Sequence, residues 1–234
     1  MRGIWAGVVL VLTIAFAISP IWVPDFGGFD PDAFPVRQED PPAQPAGYAF
    51  AIWGVIYLWL IVGAGFGLWR RARDTAWDAM RVPLAISLAV GAVWLPVAVL
   101  SPIWATILIW AMLIPALAAL YRAPQDDSWA AAWPVGLYAG WLSGASCVSI
   151  GLLLGGYGVM SNTAAALVMI PVAAVLAFAV QWTLGRAPTY GVAAIWALLA
   201  IVVQNGTTTA VGALALAGAA FLVTPTVRAA LRGA

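Results

Sequence analysis

The chain reads as a succession of long apolar runs separated by short polar, proline or glycine punctuation. A helix needs about 20 apolar residues to cross the hydrocarbon core of a bilayer. Eight runs meet that need, at about 4–23, 47–69, 82–100, 103–121, 132–154, 163–182, 189–204 and 208–225. The seventh is short and its ends are the least sharply marked. Backbone polar groups find no water in lipid, so each run is expected to be helical. The pattern therefore predicts an all-α, polytopic transmembrane bundle of about eight spans. Ser101-Pro102 alone separates the third run from the fourth, and Gly155-Gly156 reads as a turn after the fifth.

Composition removes the soluble alternatives. Hydrophobic residues make up 64% of the 234 positions and charged residues 8%, where a soluble domain carries about a quarter charged residues. Mean hydropathy is +0.98. A net charge of +1 offers no basic footprint for nucleic acid. There is no histidine, which excludes Ser-His-Asp catalysis and His-ligated zinc or haem. The lone Cys147 excludes an internal disulfide and a cysteine-rich metal site. No catalytic residue and no metal site is assigned, and the chain is not expected to be an enzyme.

Charge placement gives sidedness. With a cytoplasmic N-terminus, Arg2, Arg70, Arg71, Arg73, Arg81, Arg122, Arg186, Arg228 and Arg232 all fall inside, and only Arg37 falls outside. That split follows the positive-inside rule. It predicts a multi-pass protein of the cell (inner) membrane with both termini cytoplasmic. The arginines of 70–81 are expected to meet anionic headgroups. The exterior connection 24–46 is the longest, Pro-rich and acidic, with Asp25, Asp30, Asp32, Glu39 and Asp40 against Arg37; it reads as a solvated loop. The first run resembles a secretory leader through Arg2 and Ala15-Phe16-Ala17. It continues through Ile21-Trp22-Val23 and is expected to remain as an uncleaved helix.

Tryptophan is the unusual component. Trp5, Trp22, Trp69, Trp77, Trp104, Trp129, Trp133 and Trp182 stand near run ends, where an aromatic belt is expected. Trp53, Trp59, Trp94, Trp110, Trp141 and Trp196 stand deeper, where a buried indole N–H wants a partner or faces a cavity. Helical spacing groups Phe50, Trp53 and Tyr57 on one face of the second run, Ser87, Gly91 and Trp94 on the third, and Tyr138, Trp141, Ala145 and Ser149 on the fifth. These stripes suit ordinary packing through small residues such as Gly91, Gly140, Gly144 and Ala145. They equally suit an aromatic-walled slot for a planar apolar ligand. Twelve of the 14 tryptophans precede residue 155, which divides the chain into a Trp-rich part and three further spans.

The stretch 45–60, Pro-Ala-Gly-Tyr-Ala-Phe-Ala-Ile-Trp-Gly-Val-Ile-Tyr-Leu-Trp-Leu, resembles the second helix of the tryptophan-rich sensory protein/translocator protein (TspO/MBR) family. That helix is led by Pro-Pro-x-Trp-x-Phe-x-Pro-x-Trp-x-x-x-Tyr. Trp53 and Tyr57 match its last Trp and Tyr, while Gly47, Ala49 and Ala51 replace the earlier Trp, Phe and Pro. Leu88 and Trp94 match the family's Gln-Leu-x-Leu-Asn-x-x-Trp helix, with Ser87 and Gly91 in place of Gln and Asn. Tyr138 and Trp141 match its Tyr-x-x-Trp helix, with Ser149 where an Asn is usual. The resemblance covers about residues 1–155, as a five-helix core, and leaves 156–234 as three additional helices; the longer, divergent bacterial branch is the nearest likeness. It implies a binding protein whose intramembrane pocket, under the first loop, takes tetrapyrroles, sterols or drug-like aromatics. Trp53, Tyr57, Trp94 and Trp141 would line it, with Tyr48, Phe50, Tyr138 and Ala145 beside them. The implied ligand is tetrapyrrole- or sterol-like, with a porphyrin-type group as the one candidate cofactor. The expected partners are membrane lipid and an apolar small molecule, with no nucleic acid; a homodimer is left open. Two other readings stay in play, a small-solute permease using all eight spans and a structural membrane subunit without a ligand.

Overall fold

A computed structural model describes residues 3–23 and 27–232. Arg2 and Asp25, used above for sidedness and loop charge, lie outside the described residues. Eight α-helices follow in order: α1 (Ile4–Ile18), α2 (Ile52–Arg71), α3 (Thr75–Ala98), α4 (Pro102–Arg122), α5 (Ala132–Gly156), α6 (Asn162–Leu184), α7 (Thr189–Asn205) and α8 (Ala210–Arg232). Short 3-10 turns extend α1 through Trp22 and lead into α2 from Gly47. No strand occurs among the described residues.

Local chemistry sets the boundaries. Asp74 caps α3 by accepting from the Ala76 N–H at 2.9 Å, and Ser161 caps α6 through the Ala164 N–H at 3.2 Å. Ser101 precedes Pro102 and accepts from Trp104 at 3.3 Å, so α4 starts one residue after its cap. Gly185, left-handed at φ 62°, closes α6 and donates to the Gln181 carbonyl at 3.0 Å. Gly155 and Gly156 are the last residues of α5 instead of the turn expected there; the turn follows at Tyr157.

Among the described residues, seven segments are long and apolar enough to span a bilayer. The seventh run is the exception: α7 has 17 residues, about 26 Å of helix against about 30 Å of hydrocarbon. α5 is the central helix, with 67% of its most apolar window buried, whereas α2 has 22%. One side of α5 packs on α4 and α2, the other on α6 and α7, and α8 closes against α6 and α7. α1 and α4 flank α3. The close approach of α5 to α7 depends on Gly140, where a Cβ would stand 2.2 Å from the Tyr190 carbonyl oxygen. At the same contact Tyr190 donates to Ser143 Oγ at 2.8 Å, since the Ser143 proton is committed to the Ala139 carbonyl.

The described arginines other than Arg37 lie at one end of the bundle, and two of them are structural. The expectation that 70–81 is a headgroup-facing connection is corrected at Arg81. α3 begins at Thr75, seven residues before the apolar run, and Arg81 is 2% exposed. Its guanidinium donates to the carbonyls of Gly67, Arg71 and Ala72 and pairs with Asp78. The open C-terminal carbonyls of α2 therefore hold the charge within the helix bundle. Trp77, expected in the aromatic belt, is 2% exposed beneath Gly67 and beside Phe66. Arg186 does for α4 what Arg81 does for α2, donating to the carbonyls of Ala123, Tyr121 and Leu120. Burial pulls its guanidinium below the ordinary arginine range.

Candidate functional site

The aromatic stripes converge, but around a plug. Phe16 of α1 enters between α2, α3 and α5 and meets Trp53, Tyr57 and Tyr138 edge-on at 5.7, 5.0 and 5.7 Å. Gly91 makes the room: a Cβ there would lie 2.8 Å from the Phe16 ring. Trp53 and Tyr57 stack at 5.4 Å. Below them Tyr138 is fully buried and bonded to Ser87 at 2.8 Å. Ser87 gives its one proton to the Met112 carbonyl, so the Tyr138 hydroxyl is the donor to Ser87. This half of the interior is filled.

The hollow lies on the other side of Trp141. There the structure leaves an open-mouthed hollow of about 80 Å³. α5 supplies Trp141, Gly144, Ala145, Val148, Ser149 and Leu152. α6 supplies Met169, Ile170, Ala173 and Ala177, and α7 supplies Ala194, Ala197, Leu198 and Ile201. Trp94, Ile109 and Leu222 close the wall from α3, α4 and α8. Gly28, Phe29, Ala43, Gln44, Pro45 and Phe50 form the roof. Gly144, Ala145 and Val148 are partly exposed on the most buried helix of the bundle because they face this space.

The roof is held from both sides. Val36 donates to the Gly156 carbonyl at the end of α5 at 2.8 Å. On α7, Ala200 accepts from the Ala46 N–H at 3.2 Å, Asn205 donates to Pro42 at 3.0 Å, and the Trp196 indole donates to Ala49 at 3.1 Å. Asp30, Asp32, Glu39 and Asp40 all point outward, exposed.

A family model described as TSPO-like protein matches residues 36–228. The chain belongs to the TSPO-like protein family. The match runs through most of the last three helices, well past the reach of the motifs near residues 45–60, 88–94 and 138–141. Neither the curated proteins nor the solved structures contain a match.

Within this TSPO-like protein, Phe50, Trp94, Trp141 and Ala145 border the cavity, whereas Trp53, Tyr57 and Tyr138 belong to the Phe16 cluster. Tyr48 is half exposed and edge-on to Trp196 at 5.6 Å. Of the deep tryptophans, Trp59, Trp94 and Trp196 donate to the backbone carbonyls of Trp129, Ala105 and Ala49. Trp196, although near mid-run, is 38% exposed. Nine of the 23 lining residues come from α6–α8, and sequence reasoning named none of them. Their signal is faint: alanines at i, i+4 in Ala173/Ala177, and the Ala194/Ala197/Leu198/Ile201 face of α7.

Proposed function

We propose that this TSPO-like protein binds an apolar small molecule in the cavity between α5, α6 and α7, as a membrane sensor or translocator-type receptor and not as an enzyme. One observation carries the reading: an apolar hollow that opens under an anchored loop, whose wall is aromatic and aliphatic apart from Gln44 and Ser149. Apolar sites with a few placed polar groups are the usual form of small-molecule pockets. The family match supports the same reading. Sidedness is part of the proposal. The described arginines other than Arg37 gather at the end opposite the roof, which supports a cell (inner) membrane orientation with both termini cytoplasmic and the cavity in the outer half.

The test is tryptophan fluorescence on purified protein in lipid nanodiscs, titrated with an uncharged polycyclic quencher. Trp94 and Trp141 border the cavity, so quenching is expected to saturate. Ala145→Phe, which fills the space, is expected to leave only the linear quenching caused by partition into lipid. Saturation that survives Ala145→Phe unchanged would place the ligand elsewhere.

A further inference from the structure

A porphyrin-type group is the ligand that the resemblance implies, and the cavity does not fit it. A tetrapyrrole of that kind carries two carboxylates, and an ionised carboxylate removed from water needs a cation or several donors. None of the 23 lining residues is ionisable. The chain has no lysine or histidine, and its described arginines other than Arg37 belong to the far end of the bundle. Arg37 is exposed and engaged with Asp32 at 3.5 Å and Glu39 at 3.9 Å. The roof adds repulsion, since Asp30, Asp32, Glu39 and Asp40 outnumber that arginine on the loop above the cavity. The polar groups that do line the space are modest. The Ser149 hydroxyl donates to the Ala145 carbonyl at 2.9 Å and keeps its acceptor side. Gln44 offers an amide held at long range, 3.5 Å, by the Gly27 carbonyl.

We infer that the cavity selects uncharged polycyclic or isoprenoid molecules carrying at most one hydroxyl- or carbonyl-type group, seated toward Gln44 and Ser149, and rejects anionic ones, tetrapyrrole dicarboxylates included. This rests on the reading of the cavity as a ligand site and adds the class of ligand.

Two matched pairs test it on full-length protein in nanodiscs of uncharged lipid at neutral pH. The first is protoporphyrin dimethyl ester against protoporphyrin free acid, and the second is a fluorescent sterol against its sulfate ester. Each pair shares a skeleton and differs in charge. Ala145→Phe and Ala173→Phe, on two different helices, supply the baseline for lipid partition and for a variant that misfolds. The uncharged member of at least one pair is expected to bind saturably. Its anionic counterpart is expected to be weaker by on the order of a hundredfold, since desolvating an unpaired charge costs several kcal/mol and each tenfold is about 1.4 kcal/mol. An anionic member that binds as tightly as its neutral partner, and is lost in either cavity-filled variant, overturns the selectivity while leaving the cavity a ligand site. Absence of saturable binding by all four probes overturns the selectivity and the ligand-site reading together.

Discussion

Trp141 meets Trp53 edge to face, with ring centroids 6.3 Å apart and planes at 81°, and the same indole borders the cavity. It is a partition between a filled half and a hollow half of the interior. Phe16 fills the first half. Replacing it by alanine removes the edge contacts to Trp53, Tyr57 and Tyr138 and leaves a void beside Gly91. Phe16→Ala is expected to cost about 3 kcal/mol, read as a lower unfolding midpoint in detergent. Ligand binding is expected to persist below that midpoint, because Phe16 does not border the cavity.

The Tyr138–Ser87 pair predicts an asymmetry. Tyr138→Phe removes the donor and leaves Ser87 bonded to the Met112 carbonyl, a loss of about 1 kcal/mol. Ser87→Ala strands a fully buried hydroxyl, which costs about 1–3 kcal/mol. Unfolding in a denaturing detergent titration should rank Ser87→Ala below Tyr138→Phe, and the double variant should recover most of the difference.

Arg81 is a different kind of buried group, a charge shared among three carbonyls and Asp78. Arg81→Ala leaves those acceptors and the carboxylate uncompensated, at about 3–5 kcal/mol. Arg81→Lys retains the charge without the planar fork and should recover only part of the loss. Folded yield and thermal midpoint should follow the order wild type, Lys, Ala.

Asn205 ties the end of α7 to the roof by donating to Pro42 at 3.0 Å and to Ile201 at 2.9 Å. Asn205→Ala should free the roof locally while the bundle stays folded. Hydrogen exchange is the measurement: amides of 42–49 should exchange faster, and those of α5 should not change.

The spans were legible because lipid imposes a length on each run; α7 falls short of it, and the other seven follow it with shifts at their ends, the largest at the start of α3. Trp94, Trp141, Phe50 and Ala145 were legible as candidates, and they do border the cavity, because aromatic and small residues at helical spacing leave a visible mark. Three features left no such mark. Phe16 is one aromatic in a uniformly apolar run, and only Gly91 on another helix explains its place. Arg81 looks like a loop charge until the carbonyls of Gly67, Arg71 and Ala72 are brought to it. The α6 and α7 walls are alanine and branched aliphatics, residues that describe a cavity wall and a lipid-facing surface alike.

The account depends on an apolar ligand residing between α5, α6 and α7 and not among the rings around Phe16. Photo-labelling of the protein in nanodiscs, with a diazirine on an uncharged polycyclic probe and the adducts mapped by mass spectrometry, measures this most directly. The account predicts adducts on Val148, Ala173, Ala197 or their neighbours on the same faces, competed away by unlabelled probe. Competed adducts confined to α1 and α2, at Phe16, Trp53 or Tyr57, would contradict it.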